Sequence, residues 1–514
     1  MNAFIFVVSA LVAAACDDAP AQEQGPQLPP TSNVAAGVVP SDLVSRVDAA
    51  ARAVIDARLT PGLSLAITAG DSVVYAQGYG AADLATGRPA RAETPFYLAS
   101  TSKSFLALAA TMAAQRGELD LDAPMTRYLP EARLARGDGP TITVRHLITL
   151  SHGLSGNGPV VMRTAYSGEF TQEELLELLR FHEDSGERGT FSYNNLGYNL
   201  LGMILERIHD RPWQEIVHEA VVAPVGMTHT SARLSTISRA ELAEPHVMNV
   251  NGWERIELLK DDANMHAAGG HFASAIDLGR YLAAQISGGL VEGRRVLPQA
   301  AILETHRRHV AQGRQFGPYH RHAWGFGWDI GTYAGDTIFH RFGAFDGYRS
   351  HVSFMPQHDF GVVVLVNGDG PASAASDLLA TQIYDLLLAK PGAAAGFALR
   401  VDSLSTRIDG YRAELREHLA GRAERNAPLR HELRDFEGTY FNEQLGHVEW
   451  RVIDGRLHAR AGVSHGPAEV YNAADDALRV ELFGSGQVAD FEFPPGGGPA
   501  TGFVLAEQEF RRVR

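Results

Sequence analysis

The stretch Tyr97-Leu98-Ala99-Ser100-Thr101-Ser102-Lys103-Ser104-Phe105 decides how the rest of this 514-residue chain is read. A serine is followed three residues later by a lysine, at the start of an apolar run that continues through Leu106, Ala109 and Met112. Three residues is close to one helical turn, so both side chains lie on one face and within reach of each other. A lysine taken out of water there loses its proton nearer neutral pH and can accept the serine's hydroxyl proton. The helix N-terminus adds positive field where an oxyanion would form. An N-capping serine followed by a solvated helix lysine has the same spacing, so these four residues alone leave both readings open.

Composition narrows the field. The chain is 45% hydrophobic and 20% charged, with a formal net charge of −15. That fits a soluble globular protein of two or three domains, argues against a nucleic-acid partner, and offers no basic face to anionic lipid. The one cysteine, Cys16, rules out an internal disulfide. It follows the apolar run Ala3 to Ala15, AFIFVVSALVAAA, which is too short to span a bilayer but has the length of a signal-peptide core. The small residues before Cys16 resemble the lipobox of bacterial lipoproteins. That resemblance implies a lipidated Cys16 at the mature N-terminus, with membrane contact only through that anchor. The alternative is an ordinary secretory signal cleaved near Ala15. Either way the expected location is the periplasm or cell envelope. Residues 17–40, DDAPAQEQGPQLPPTSNVAAGVVP, lack periodicity and read as a disordered tether after the 1–16 signal segment.

Periodicity organises the rest. Ser41 caps a helix with Leu43, Val47, Val54 and Ile55 on one stripe. Leu63 to Thr68 and Ser72 to Gln77, joined at Ala69-Gly70-Asp71, read as a hairpin. Gly78-Tyr79-Gly80-Ala81-Ala82-Asp83 follows that hairpin, lacks the last glycine of a dinucleotide fingerprint, and reads as a turn. From about 120 to 310 the pattern is mainly helical, with a capping box at Thr171 and Glu174 and amphipathic helices over Leu196 to Ile208 and Asp277 to Ile286. Strands are expected again after Trp324, over Gly325 to Ile330, Thr337 to Phe342, Tyr348 to Phe354 and Val362 to Asn367, before a helix from Ala374 to Leu388. Strands at both ends of 41–390 with helices between predict one sheet built from both ends, flanked by a helical subdomain. Residues 391–430 read as a linker holding one charged helix over Leu404 to Glu424, and 431–514 as a small all-β domain of short strands.

A serine–lysine nucleophile needs a second proton-transfer group, a group to hold the substrate, and a strand edge to complete an oxyanion hole. Tyr193 and Asn195, in Phe191-Ser192-Tyr193-Asn194-Asn195-Leu196-Gly197-Tyr198, offer the first two. A tyrosine held near a lysine can shuttle a proton to the leaving group, and the asparagine can bind both a substrate amide and the lysine; a plain helix N-terminus capped by asparagine is the competing reading. Phe339-His340-Arg341-Phe342-Gly343-Ala344-Phe345-Asp346-Gly347-Tyr348 offers the strand. Side chains alternate, so Arg341 and Gly343 share one face while His340 and Phe342 share the other. Arg341 can bind a substrate carboxylate, and Gly343 can let a substrate lie along the backbone; a surface strand with an exposed arginine has the same pattern.

Together these residues resemble the β-lactamase-related serine hydrolases: class C β-lactamases, D-alanyl-D-alanine carboxypeptidases, D-aminopeptidases and esterases of the same fold. The resemblance spans roughly 41–390 and implies an α/β fold, an antiparallel sheet flanked by helices plus a helical subdomain. It includes Pro61-Gly62, Gly78 to Leu84 with Thr86-Gly87, Phe96-Tyr97, Thr143-Val144-Arg145-His146-Leu147-Ile148-Thr149, Ala268-Gly269-Gly270 with Asp277-Leu278, and Val362 to Asn367. It implies that Ser100 is the acyl-accepting nucleophile, Lys103 its base and Tyr193 the proton-transfer partner. It further implies that Asn195, Arg341, Gly343 or His340 contact the substrate, and that the backbone N–H groups of Ser100 and Ala344 form the oxyanion hole. Phe436-Glu437-Gly438-Thr439-Tyr440 looks like the start of the β-domain attached to many such hydrolases. Two positions differ from the family pattern. Arg341 stands where Lys or His is usual, with His340 one residue early, and His152 stands where a serine is usual.

The expected function is therefore that of an exported serine hydrolase acting on an amide or ester, whose partner is a small-molecule or short-peptide substrate. The non-enzymatic alternative is an inactive penicillin-binding-protein-like fold that binds a peptide or cell wall. Gly153-Leu154-Ser155-Gly156-Asn157 falls one residue short of a G-x-S-x-G elbow. His306/His309 and His320/His322 lack an H-E-x-x-H partner or an acidic cluster, so no metal or other cofactor is expected.

Overall fold

The computed structural model describes residues 41–134, 141–154, 157–182, 187–425 and 427–513, all within one compact unit, Ala36–Arg514. The Cys16 lipidation site, the signal segment, the 17–40 tether and the Ser155-Gly156 pair lie outside the described residues.

The first helix, α1 (Ser41–Asp56), buries Leu43, Val47 and Val54 as its stripe requires. The hairpin follows as β1 (Gly62–Ala69) and β2 (Ser72–Asp83), with a short β3 (Arg88–Pro89) beside it. Six further strands come from the second half: β4 (Val310–Phe316), β5 (Tyr319–Trp324), β6 (Asp329–Tyr333), β7 (Asp336–Phe345), β8 (Tyr348–Met355) and β9 (Phe360–Val366). They form one nine-stranded sheet in the order β4-β5-β6-β7-β8-β9-β1-β2-β3, so strands from both ends of this region meet where β1 pairs antiparallel with β9, Leu63 opposite Val366 and Ile67 opposite Val362.

Every residue of β1 is buried, because helices cover both faces of the sheet. Leu63, Leu65 and Ile67 share a core with α1 and with α5 (Ala375–Leu387). Ala66 belongs to the opposite core, formed with α2 (Lys103–Gln115), α3 (Asn195–His209) and α4 (Ala275–Ile286). The helical subdomain, with α3 and several short turns, lies between β3 and β4 in sequence. The capping box at Thr171 is present, and its helix runs Gln172–Glu177 before tightening into a single 3₁₀ turn.

Three sequence expectations need correction. Gly78 to Asp83 is the end of β2 and not a turn. Gly78 serves close approach instead: a Cβ there would lie 2.3 Å from the carbonyl oxygen of Ala90. The sheet resumes at Val310, before Trp324, while Gly325 to Trp328 is a turn closed by Gly325 N–H to the Trp328 carbonyl at 2.8 Å. The helix of the expected linker is α6 (Ala393–Ala423), and its first half packs on the body: Phe397, Val401, Leu404 and Ile408 are buried in the α1–α5 core.

Residues 438–512 form a closed eight-stranded barrel: β10 (Gly438–Asn442), β11 (Gly446–Ile453), β12 (Arg456–Ala461), β13 (Ser464–Asn472), β14 (Ala477–Leu482), β15 (Ser485–Glu492), β16 (Gly502–Leu505) and β17 (Gln508–Arg512). Pairing of β10 with β17 closes it around Phe436, Trp450, Phe491, Phe503 and Phe510.

Candidate active site

Ser100 sits on a strained turn. Ala99, just before it, has φ +47°, a left-handed conformation that L-residues other than glycine seldom adopt. Ala99–Ser102 is one 3₁₀ turn that runs directly into α2 at Lys103. Neither this turn nor α2 has a side-chain cap, and Lys103 is fully buried. An N-capping serine with a solvated lysine is therefore not what the structure contains.

The Lys103 ammonium spends three N–H bonds: on Ser100 Oγ at 3.1 Å, Asn195 Oδ1 at 2.6 Å and the Ala268 carbonyl at 2.7 Å. Asn195 Oδ1 and the Ala268 carbonyl can only accept. A deprotonated Lys103 that keeps those two bonds must aim its lone pair at Ser100. Burial, with Arg341 adding to it and Tyr193 opposing, brings the lysine down to about 8. Tyr193 donates to Ser100 Oγ from the other side at 2.8 Å. Burial of its hydroxyl end would push the phenol up, but the charges of Lys103 and Arg341 and the hydrogen bonds outweigh that and bring it down to about 8. Tyr193 as a whole is 36% exposed, so part of the residue faces the open side of the site.

The nucleophile turn is held against β7 and β8. Arg341 Nη2 donates to the Ser100 carbonyl at 2.8 Å, and Nη1 to Asp329 at 3.0 Å. The guanidinium also lies 4.8 Å from the Trp324 ring, and Arg341 is 2% exposed. The expected carboxylate-binding cation is thus a buried strut already bound to an aspartate. Gly343 likewise faces the turn and not a substrate: a Cβ there would lie 1.8 Å from the Leu98 carbonyl oxygen. Ser350 bonds the same carbonyl at 3.0 Å and the Thr101 hydroxyl at 2.8 Å. His340 points to the other face of the sheet, buried and stacked on Tyr319 at 5.2 Å, and has no access to Ser100.

Ala344 is placed by register. The turn Asp346-Gly347 joins Phe345 to Tyr348, so Phe345 and Tyr348 form the hydrogen-bonded pair closing a two-residue hairpin. Alternation then turns the Ala344 N–H away from β8. On that edge β6 ends its pairing at Asp329 opposite His340, so no strand covers β7 beyond His340.

Sequence reasoning missed several supports. Asn199 accepts from the Ala268 N–H at 3.1 Å and contacts His266 at 3.2 Å, which fixes the carbonyl that holds Lys103. Its position one helical turn after Asn195 was the available signal. Asp329, Ser350 and Thr101 carried none. His152 is buried beneath α3, where a Cβ on Gly197 would lie 3.1 Å from its Nε2. A second hydroxyl–imidazole–carboxylate series exists: Ser353 Oγ to His351 Nε2 at 2.7 Å, and His351 Nδ1 to Asp377 at 2.9 Å. Ser353 and His351 are fully buried, and Tyr384 bonds Ser353 at 2.8 Å, so this series is structural. Among the described residues no three His, Cys, Asp or Glu side chains gather to hold a metal.

A protein-family model described as Beta-lactamase matches residues 47–385, more than half of the chain. The chain belongs to the Beta-lactamase family. Among curated proteins, it is 35% identical to Esterase EstB of Burkholderia gladioli over 199 residues, which is 36% of this chain and 51% of that one. It is 24% identical to Protein flp of Staphylococcus aureus over 314 residues, 60% and 59% of the two chains. The chain therefore spans somewhat more than half the length of these relatives. Of solved structures, the octameric penicillin-binding protein homologue from Pyrococcus abyssi matches with a TM-score of 0.57 at 21% identity, covering 91% of this chain and 99% of that one. The D-amino acid amidase from Ochrobactrum anthropi SV3 matches with a TM-score of 0.57 at 22% identity, covering 68% and 99%. Both are likenesses of fold.

Proposed function

We propose that the protein is an exported serine hydrolase that cleaves uncharged acyl esters through an acyl-enzyme on Ser100. The observation that carries the proposal is the placement of Ser100 Oγ between Lys103 Nζ at 3.1 Å and Tyr193 OH at 2.8 Å, with both partners brought down to about 8. In the first step Ser100 Oγ bonds to the ester carbonyl carbon, and its proton passes to the basic member of the Lys103–Tyr193 pair. The Ser100 and Ala344 N–H groups receive the negative oxygen. Collapse breaks the bond to the alcohol, which leaves with a proton from Tyr193. Water then attacks the acyl-enzyme with the same groups in reverse order.

The preference for an uncharged substrate rests on Arg341. Its guanidinium is bound to Asp329 and the Ser100 carbonyl, so β7 presents no spare cation to a substrate carboxylate. The relation to a protein named as an esterase agrees with this. The apolar run before Cys16 supports export, and a Cys16→Ser protein moving from the membrane to the soluble fraction would support the lipid anchor.

The test is turnover of short-chain p-nitrophenyl esters, nitrocefin and D-alanyl peptides by wild type and Ser100→Ala. The account expects hydrolysis of the esters, little of the two carboxylates, and none by Ser100→Ala. Preference for nitrocefin or the peptides would overturn the substrate class. Absence of turnover and of fluorophosphonate labelling on wild type would favour a binding protein.

A further inference from the structure

The C-terminal barrel is packed against the segment Met162–Ser167, beside the active-site strands. The Val463 N–H donates to the Ser167 carbonyl at 2.9 Å, His447 pairs with Glu169, and Met162 and Tyr166 pack against the barrel's apolar core. Two barrel glycines are needed for this fit. A Cβ on Gly462 would lie 2.0 Å from the Ser167 carbonyl oxygen, and one on Gly484 would lie 2.2 Å from the Tyr166 hydroxyl.

Tyr166 also touches the β7–β8 turn. Its ring lies 5.0 Å from that of Phe345, and its hydroxyl donates to the Asp346 carboxylate at 3.3 Å. These two residues directly follow Ala344. Lys260, buried, lies beneath the same turn: its Nζ is 3.9 Å from the Phe345 ring centre and donates to the Ala165 carbonyl. A continuous series of contacts thus leads from the barrel through Tyr166 to the residues that set the direction of the Ala344 N–H.

We propose that the barrel is a working support of the catalytic site, and that Tyr166 is the positioning residue through which it fixes the Phe345-Asp346-Gly347 turn and the Ala344 N–H. This rests on the acyl-transfer reading of Ser100 given above. An oxyanion donor is effective only when it is held in place before the charge develops, so a loosened turn weakens transition-state binding while substrate binding is largely kept.

The experiment uses the full-length protein with Tyr166→Phe, which removes one hydrogen bond and keeps the ring, and Gly484→Ala, which makes the perturbation from the barrel side. For each, kcat and KM on a p-nitrophenyl ester are measured together with the Kd of phenylboronic acid, a tetrahedral mimic of the transition state. The expected result is a loss of about tenfold in kcat, a fraction of the cost of removing an oxyanion donor outright. KM should stay within about twofold, and boronate affinity should fall in step with kcat. Unchanged kcat and boronate affinity in folded Tyr166→Phe, or a change in KM alone, would overturn the proposal. If Gly484→Ala does not fold, Tyr166→Phe decides. Ser100→Ala is the separate control: full turnover there would remove the underlying site, whereas an inactive Ser100→Ala beside an unaffected Tyr166→Phe would defeat only the role of the barrel.

Discussion

Replacing Tyr193 with phenylalanine removes a single oxygen and leaves the ring against Trp324, where the centroids are 6.4 Å apart. That oxygen sits 2.8 Å from Ser100 Oγ and is brought from 10.0 down to about 8. At pH 7 an ordinary tyrosine is phenolate about one time in a thousand, whereas one at 8 is phenolate about one time in ten, a gain of about a hundredfold or 2.7 kcal/mol. Loss of a positioned acid–base group costs about 10²–10⁴ in rate. The account assigns this oxygen to the departing alcohol, so the cost must depend on the leaving group. Two esters of the same acid separate the possibilities. A p-nitrophenolate leaves unaided, and Tyr193→Phe should slow its release modestly; an ethoxide needs a proton, and its ester should lose at least about tenfold more. The pH profile gives an independent reading. Activity requires that the Lys103–Tyr193 pair has lost one proton, so kcat/KM is lost as pH falls through about 8. Equal losses for the two esters would refute the assignment.

Other outcomes follow from the same geometry. Ala99→Gly releases a residue held at φ +47° and should raise stability by about 1 kcal/mol, less the entropy that glycine brings to the unfolded chain, as read by urea denaturation. Gly343→Ala puts a methyl where the Leu98 carbonyl lies and should cost more than about 2 kcal/mol and nearly all ester turnover; a folded, active variant would contradict the close contact. Burial brings Lys260 down from 10.5 to about 7. Between those values the unfolded chain binds the extra proton, so stability should rise from pH 7 to 9.5. Lys260→Met should flatten that slope, and an unchanged slope would show that Lys260 is not its source.

Much of the site was legible because its parts lie in short segments with local geometry. Ser100 and Lys103 share a helical turn, and Tyr193 and Asn195 open α3. Strand alternation correctly put Arg341 and Gly343 on the face opposite His340. Alternation could not say what that face meets. In the sequence Arg341 suits a ligand for substrate because Asp329, its partner, comes from a different strand, and Gly343 suits a substrate track because the Leu98 carbonyl arrives from the far end of the region. The edge strands Val310–Phe316 and Tyr319–Trp324 were hidden by their arginine, histidine and glutamine content, which suits a sheet margin better than a buried strand. The packing of α6 was available in Phe397, Val401, Leu404 and Ile408, but its charged second half dominated the reading.

The central claim is that an acyl group becomes bonded to Ser100. Wild-type protein mixed with a slowly hydrolysed p-nitrophenyl ester, quenched in acid and measured by intact and peptide mass spectrometry, tests it directly. The account predicts one added acyl mass on the peptide containing Ser100, and none in Ser100→Ala. Ester turnover with the acyl mass on another residue, or turnover undiminished in Ser100→Ala, would contradict it.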